Sequence, residues 1–218
     1  MIAYKITNES MQTYKGFQWV LGQWVETSGE GELCGDGWLH TYSDPVVGAF
    51  FKPIHGGIPK NPRMFVCEVD GSHKDDHGLK QGWTRVRLVK EIPMPTLTIE
   101  QRIAIGIRFA LKVYKDKGFG KWAADWLSGK DRSGQAAEAA VWATRSAGAA
   151  REAAWAARSA ARAAVAARSA VWVWAAAWSA ARAAEVAAEE KKLDLIGIVH
   201  EIYQNKEYLE QDIEDRAK

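Results

Sequence analysis

The spacing of apolar and polar residues divides the chain into a β-rich first part and a helical remainder. In the first 95 residues no helical period runs beyond two turns, and short apolar or alternating segments lie between turns. The predicted strands are Tyr4–Ile6, Phe17–Val20, Gly37–Tyr42, Arg63–Val69 and Thr84–Lys90. Asp44 and Pro45 are the N-cap and first-turn residues of a helix, so Val46–Phe51 is predicted to be a short helix on the sheet.

After the last proline the apolar period becomes that of amphipathic helices. Thr98 and Gln101 have the spacing of a capping box, which predicts that a helix begins there. Its apolar stripe consists of Ile99, Ile103, Ile107, Ala110 and Leu111 and runs towards Tyr114. We expect Gly118 and Gly120 to end this helix, and a short helix, Trp122–Leu127, to follow.

An alanine-rich segment comes next. Alanine occupies 28 of the 56 positions from Gln135 to Glu190, together with six arginines and five tryptophans. Because alanine has the highest helix propensity, the segment is predicted to be helical. It forms either a single rod of about 80 Å or a hairpin bent near Gly148. Leu193–Lys218 carries a further apolar stripe and predicts a separate amphipathic helix.

These patterns predict an α+β protein, with a small β-rich N-terminal domain followed by an all-α, alanine-rich region. We expect a β-rich head at 1–95, linker helices at 96–134, and an Ala/Trp/Arg-rich tail with the C-terminal helix at 135–218.

Charge and cysteine content narrow the classes of function. The 29 basic and 27 acidic residues give a net charge of +2, which offers no general attraction for nucleic acid or anionic lipid. The longest uncharged stretch of the tail, Ser169–Ala181, is too short to span a bilayer. Met1 to Ile6 does not resemble the start of a signal peptide. We therefore expect a cytoplasmic protein with Cys34 and Cys67 reduced and buried in strands.

The tail carries the candidate binding surface. At 100° per residue one stripe collects Arg151, Trp155, Arg158, Arg162, Val165, Ser169 and Trp172, whereas Trp174 and Trp178 fall nearly opposite. One interpretation is that the tail packs on its flanking helices or on a second copy of the chain. The other is that arginine and tryptophan receive a host protein or a small anionic ligand. Nucleic-acid binding is not expected, because the segment's six arginines are balanced by five acids.

Two histidine-containing segments of the head are candidates for chemistry. His73 and His77 lie between Gly71 and Gly78, which predicts a solvated hairpin loop rather than a metal site. His40 and Tyr42 alternate onto one side of a predicted strand just before Asp44. These three side chains either line a cleft or satisfy the adjacent turn. We expect neither a metal nor a cofactor.

The head resembles a small domain of unknown function that recurs in phage and plasmid-borne proteins. The residues that carry the resemblance are Tyr4-Lys5, Gly16-Phe17-Gln18, Gly22, Leu33-Cys34, Gly37-x-x-His40, Asp44-Pro45 and Glu68-Val69-x-Gly71. Members usually have Gly-Phe-His where this chain has Gly-Trp-Leu-His, a shift of one residue that changes the face of the strand on which His40 lies. The resemblance implies a phage-type accessory protein and brings no activity with it.

The head is also similar, more weakly, to ADP-ribosyltransferases. Tyr4-Lys5, His40-Thr-Tyr42 and Glu68 can be placed on the layout of such a nicotinamide pocket. The Ser-Thr-Ser and Glu-x-Glu patterns of that family are missing. This likeness implies an NAD-consuming enzyme with His40, Tyr42 and Glu68 as catalytic residues, as an alternative.

The preferred hypothesis is a non-enzymatic accessory protein that acts as a protein-interaction or oligomerisation module. Its partner is itself or a host protein. A protein that sequesters a nucleotide with arginine and tryptophan is a further alternative.

Overall fold

The protein is an α+β protein made of two compact units, residues 1–96 and 97–218. The computed structural model describes residues 1–56, 59, 61–76, 78, 80–146, 151–166, 179, 183 and 194–205.

The first unit is an antiparallel sheet with one α-helix. Its elements are β1 (Ile2–Thr7), β2 (Trp24–Glu26), β3 (Leu39–Thr41), α1 (Pro45–Gly56), β4 (Arg63–Asp76) and β5 (Lys80–Ile92). The strand order is β1-β4-β5-β2, and β3 also pairs with β5. Each of the three remaining strands, β1, β2 and β3, therefore pairs with a strand of the long β4–β5 hairpin.

The sheet closes on itself beyond the end of β3. Tyr42 and Tyr4 exchange two backbone hydrogen bonds, each of 2.8 Å between nitrogen and oxygen. The path β1-β4-β5-β3 thus returns to β1, which leaves no open edge at this point of β1.

The interior of the sheet is apolar, and a side chain from a loop completes it. Ala3, Cys67 and Val86 belong to a buried cluster that also includes the indole of Trp19, from the loop after β1. Helix α1 packs against β1 and buries Phe50 and Phe51 completely.

Two predictions about strands are wrong. Phe17–Val20 is not a strand, because Trp19 turns inward to fill the core, and β2 forms at Trp24–Glu26 instead. His73 lies in a strand rather than in a loop, because β4 continues to Asp76 and the His73 ring stacks on Trp83 at 4.7 Å. His77 lies outside the described residues.

The prediction for the cysteines holds for one of the two. Cys67 is buried in β4, and burial raises the pKa of its thiol to about 12. Cys34 is exposed in a turn between β2 and β3, because the glycines that follow it favour a turn over a strand.

The second unit is helical. Its elements are α2 (Ile99–Val113), α3 (Lys117–Leu127), α4 (Gly134–Ser146), α5 (Arg151–Ala166) and α6 (Leu195–Tyr203). The capping box of Thr98 and Gln101 is confirmed at the start of α2. The predicted role of Gly118 and Gly120 is wrong, since α2 ends at Val113 and both glycines lie in α3, whose N-cap is Asp116.

Close contacts between small residues hold these helices together. Helix α2 packs against α5 and α6, and α4 packs against both α3 and α5. Because α4 and α5 are separate helices that pack on each other, the single-rod alternative is wrong for this part of the tail. Gln101 joins α2 to α6, donating from Nε2 to the main-chain oxygens of Ile202 (3.4 Å) and Tyr203 (3.2 Å).

Candidate functional site

An open groove of about 420 Å³ lies between α4 and α5. Its lining residues are Glu138, Val141 and Trp142 from α4, and Arg162, Val165 and Ala166 from α5. In each helix the three positions are spaced i, i+3 and i+4, so each set lies on one helix face. The groove is therefore built from matching faces of two neighbouring helices.

Buried alanines position the two walls of this groove. In α5 Ala157, Ala161 and Ala164 are buried, and in α4 Ala137 and Ala140 are buried. Alanine lets helix backbones approach closely because its side chain ends at Cβ. The two helices therefore lie close together, with the larger side chains of the groove beside the alanine contact.

Trp142 is the most unusual residue of the groove, because 65% of its surface is exposed. An indole is the largest apolar side chain and is rarely left in water unless it serves recognition. Val141 and Val165 extend the apolar surface beside it. The centre of the groove is thus apolar, which suits a protein surface or another apolar partner.

One acid and one base lie in the groove, one from each helix. Glu138 and Arg162 are both exposed, and neither makes an ion pair with another residue in the described part of the chain. The groove is therefore neutral overall but polarised, with a negative charge on the α4 wall and a positive charge on the α5 wall.

The residues of the predicted binding stripe are separated by the structure. Arg162 lines the groove, whereas Trp155 and Arg158 are half-buried on α5 outside its lining. Arg151 begins α5, but its side chain is outside the described set, as are Trp172 and the two tryptophans predicted opposite it.

Arg158 lies close to Tyr114 rather than in the groove. Its Nε is buried without a hydrogen-bond partner, and its charge counteracts the rise in the pKa of Tyr114 that burial and Asp116 produce. The Arg158 guanidinium therefore lies near the C-terminal end of α2.

Sequence reasoning missed Glu138, Val141 and Trp142 on the α4 wall. The available signal was the i, i+4 pair of Glu138 and Trp142 in a segment otherwise dominated by alanine. The stripe of the arginine-rich segment that follows carries more large side chains and is the stronger signal in the sequence.

The three catalytic candidates of the head do not form one site. The ring nitrogen Nε2 of His40 contacts the main-chain oxygen of Leu33, and Tyr42 is buried, which raises the pKa of its phenol. Glu68 is ion-paired with Arg87. His40 is in register with Gly82 and Glu68 with Arg87, so five residues of β5, about 16 Å of strand, separate them.

Within the described residues, no group of three or more His, Cys, Asp or Glu side chains has the arrangement of a metal site. Among the same residues, no helix is both long and apolar enough to cross a membrane.

Comparison with known proteins bears on the first unit. Residues 1–100 match a protein family described as a domain of unknown function (DUF7666). No curated protein and no solved structure matched the chain. The groove between α4 and α5 lies outside the matched residues.

Proposed function

We propose that this chain is a non-enzymatic interaction module that forms a homodimer through the groove between α4 and α5. The observation that carries the proposal is the exposed Trp142 in an apolar groove with opposite charges on its two walls. Covering this indole removes apolar surface from water, and each copy contributes about 3 kcal/mol when the exposed part is buried.

The charges favour a second copy over an unrelated partner. In a two-fold symmetric contact the same surface meets itself, so residue i of one copy faces residue j of the other and the reverse. Glu138 of one copy can then face Arg162 of the second copy, and this pair occurs twice. Because an acidic residue lies on one wall and a basic residue on the other, the groove is complementary in charge to the same groove of an identical chain.

The same proposal places the protein among phage-type accessory proteins acting in the cytoplasm of the host. It is supported by the residue pattern of the head, which resembles that of phage and plasmid-borne proteins. The helical unit would then provide the contact between copies, and the head a separate surface.

The mass of the full chain in solution tests the proposal. Light scattering should give about twice the monomer mass of 24.2 kDa, falling to the monomer mass on dilution. Trp142→Ala should shift this equilibrium strongly towards monomer. Tyr14→Ala, which removes an aromatic side chain that is 78% exposed in the head, is the matched control and should leave the mass unchanged.

A wild-type chain that stays monomeric at the highest accessible concentration would overturn the proposal. So would a dimer that Trp142→Ala leaves intact, because another surface would then join the two copies.

A further inference from the structure

The turn that precedes β3 places a cysteine against a lysine of β5. Lys80 donates a hydrogen bond from Nζ to the sulfur of Cys34, and the two atoms are 3.1 Å apart. Cys34 is exposed to solvent, whereas only 8% of the surface of Lys80 is exposed. A thiol that solvent can reach and a buried amine therefore meet at one point of the head.

The alternation of β5 explains why the two side chains meet. Lys80 and Gly82 are two residues apart in this strand, so a Cβ at Gly82 and the side chain of Lys80 point to the same side of the sheet. A Cβ at Gly82 would overlap Cδ1 of Leu33, which places Leu33 on that side. Because Cys34 follows Leu33 directly, the backbone brings its sulfur to the face from which Lys80 projects.

Two contacts hold the turn in place on either side of Cys34. The main-chain nitrogen of Gly35 donates to the oxygen of Glu32 at 2.8 Å. The ring nitrogen Nε2 of His40, on β3, contacts the main-chain oxygen of Leu33. The contact between Cys34 Sγ and Lys80 Nζ therefore joins two segments whose backbones are fixed by other bonds.

The Lys80 ammonium lacks the partner that a buried lysine usually has. Such a lysine is normally paired with a carboxylate, because an isolated charge is costly to remove from water. Asp76 lies opposite Lys80 in the register of β4 and β5, but within the described part of the chain Lys80 makes no ion pair. Its hydrogen bond goes to a thiol sulfur, which is a weak acceptor. A reaction that turned this ammonium into a neutral nitrogen would remove a buried charge.

We propose that Cys34 and Lys80 form a modification site for hydrogen peroxide, in which oxidation of the thiol is followed by a covalent bond between Sγ and Nζ. Peroxide is a small oxidant that reacts with exposed thiols, and a sulfenic acid condenses with a nearby nitrogen. Both residues belong to the first unit, so the inference does not depend on the proposed dimer.

The first step oxidises the sulfur. The Cys34 thiolate attacks one oxygen of hydrogen peroxide, so that an S–O bond forms and the O–O bond breaks. The second oxygen leaves as hydroxide and takes up a proton to become water. The sulfur has then lost two electrons to the peroxide, and Cys34 is a sulfenic acid.

In the second step the nitrogen of Lys80 replaces the hydroxyl group of the sulfenic acid. The ammonium first releases a proton to water, and the lone pair of the amine then attacks the sulfur. The S–N bond forms, the S–O bond breaks, and the hydroxyl group leaves as water with a second proton from the nitrogen. The product is a neutral sulfenamide, two hydrogen atoms lighter than the reduced chain, and its formation needs no further oxidant.

Mass spectrometry of the full-length protein after treatment with hydrogen peroxide tests the inference. The treated chain should be lighter by two hydrogen atoms, and its protease digest should contain the Cys34 and Lys80 peptides joined together. After denaturation the treated chain should take up one maleimide, at Cys67, where the reduced chain takes up two. Dithiothreitol should reduce the S–N bond and restore the second label.

Three variants separate the roles of the sulfur and the nitrogen. Cys34→Ser, at an exposed position, should form no cross-link. Lys80→Arg keeps the positive charge but offers a guanidinium that stays protonated, so the cross-link should be lost and dimedone should trap the sulfenic acid. Lys74→Arg is the matched control, because Lys74 Nζ contacts the same loop at the main-chain oxygen of Gly31, 2.8 Å away, and this variant should cross-link as the wild type does.

The digest of the wild type decides the outcome even when the buried Lys80→Arg variant fails to fold. A Cys34–Lys80 peptide pair that is lost in Cys34→Ser and kept in Lys74→Arg supports the site. A sulfinic acid at Cys34 without any cross-link overturns the inference, and so does a disulfide between the Cys34 residues of two chains. Linkage of Cys34 to Lys74 or another lysine, or a linked pair that retains an oxygen atom, also overturns it.

Discussion

The ammonium group of Lys5 lies 2.5 Å from the main-chain oxygen of His40 and 4.6 Å from the centre of the Trp19 ring. A charge is thus held in the interior of the head, where the strands β1 and β3 separate beyond the Tyr4–Tyr42 bridge. Burial lowers the pKa of this group from 10.5 to about 8. The folded protein therefore binds this proton more weakly than the unfolded chain does.

Replacement of Lys5 by methionine should change how stability depends on pH. Between about pH 8 and 10.5 the unfolded chain keeps a proton that the folded protein has lost, so the contribution of Lys5 to stability rises with pH. Across this window the free energy of unfolding of the wild type should increase by about 3 kcal/mol relative to that of Lys5→Met. Urea unfolding at several pH values measures the difference. The lowered pKa of Lys5 is contradicted if the difference in free energy of unfolding between wild type and Lys5→Met does not change with pH. It is also contradicted if the exposed-site control Lys90→Met shows the same pH dependence.

Gly82 should not tolerate a side chain. A Cβ at this position would overlap the Leu33 and Trp38 side chains, and Gly82 is paired with His40. We expect Gly82→Ala to lower the free energy of unfolding by about 1–3 kcal/mol through overpacking. Gly120→Ala is the control, because no atom lies within 4 Å of a Cβ there and the position is helical. Equal stabilities of the two variants would show that Leu33 moves freely.

Gln101 should be important for the attachment of α6. Its side chain is fully buried, completes the capping box of α2 and donates to the last carbonyl oxygens of α6. Gln101→Ala removes the Nε2 donor from the Tyr203 and Ile202 carbonyl oxygens and breaks the capping box, so a loss of about 1–3 kcal/mol is expected. Gln135→Ala, at an exposed position in α4, should change stability by less than about 0.5 kcal/mol. Guanidinium unfolding of both variants provides the comparison.

If the chain forms the proposed dimer, charge reversal should break it. A mixture of the two reversed variants should restore it. Glu138→Arg alone, or Arg162→Glu alone, places like charges opposite each other in a two-fold contact, so each variant should be monomeric. When the two are mixed, every interchain pair again joins an acid and a base. Light scattering of the mixture should recover the dimer mass. If Glu138 and Arg162 instead pair within one chain, mixing has no effect.

The two cysteines should differ in reactivity. Cys34 is exposed and Cys67 is buried with the pKa of its thiol raised to about 12. A maleimide should label one thiol in the folded protein and the second only after unfolding. Mass spectrometry of the labelled peptides identifies the site. Rapid labelling of Cys67 in the native protein would mean that the closed sheet opens readily.

The features predicted correctly from the sequence are those determined by neighbouring residues. The capping box at Thr98 was predicted because its two partners are three residues apart. The position of Trp19 was not, because whether this indole forms part of a strand or fills the core depends on β4 and β5, more than forty residues away. The exposure of Cys34 follows from the turn that it forms with Gly35 between β2 and β3.

The candidate sites show the same difference between local and distant information. Arg162 was predicted as a binding residue from its helix face alone, and it does line the groove. The opposite wall was missed because it depends on which face of α4 meets α5.

The pairing pattern of the head also has a consequence for synthesis on the ribosome. Strands β1, β2 and β3 all come before residue 63, yet each takes its ladder partner from the hairpin at Arg63–Ile92. The first third of the polypeptide leaves the exit tunnel before its pairing template has emerged. Completion of the head is thus tied to the emergence of the β4–β5 hairpin, which can form early because its contacts are local.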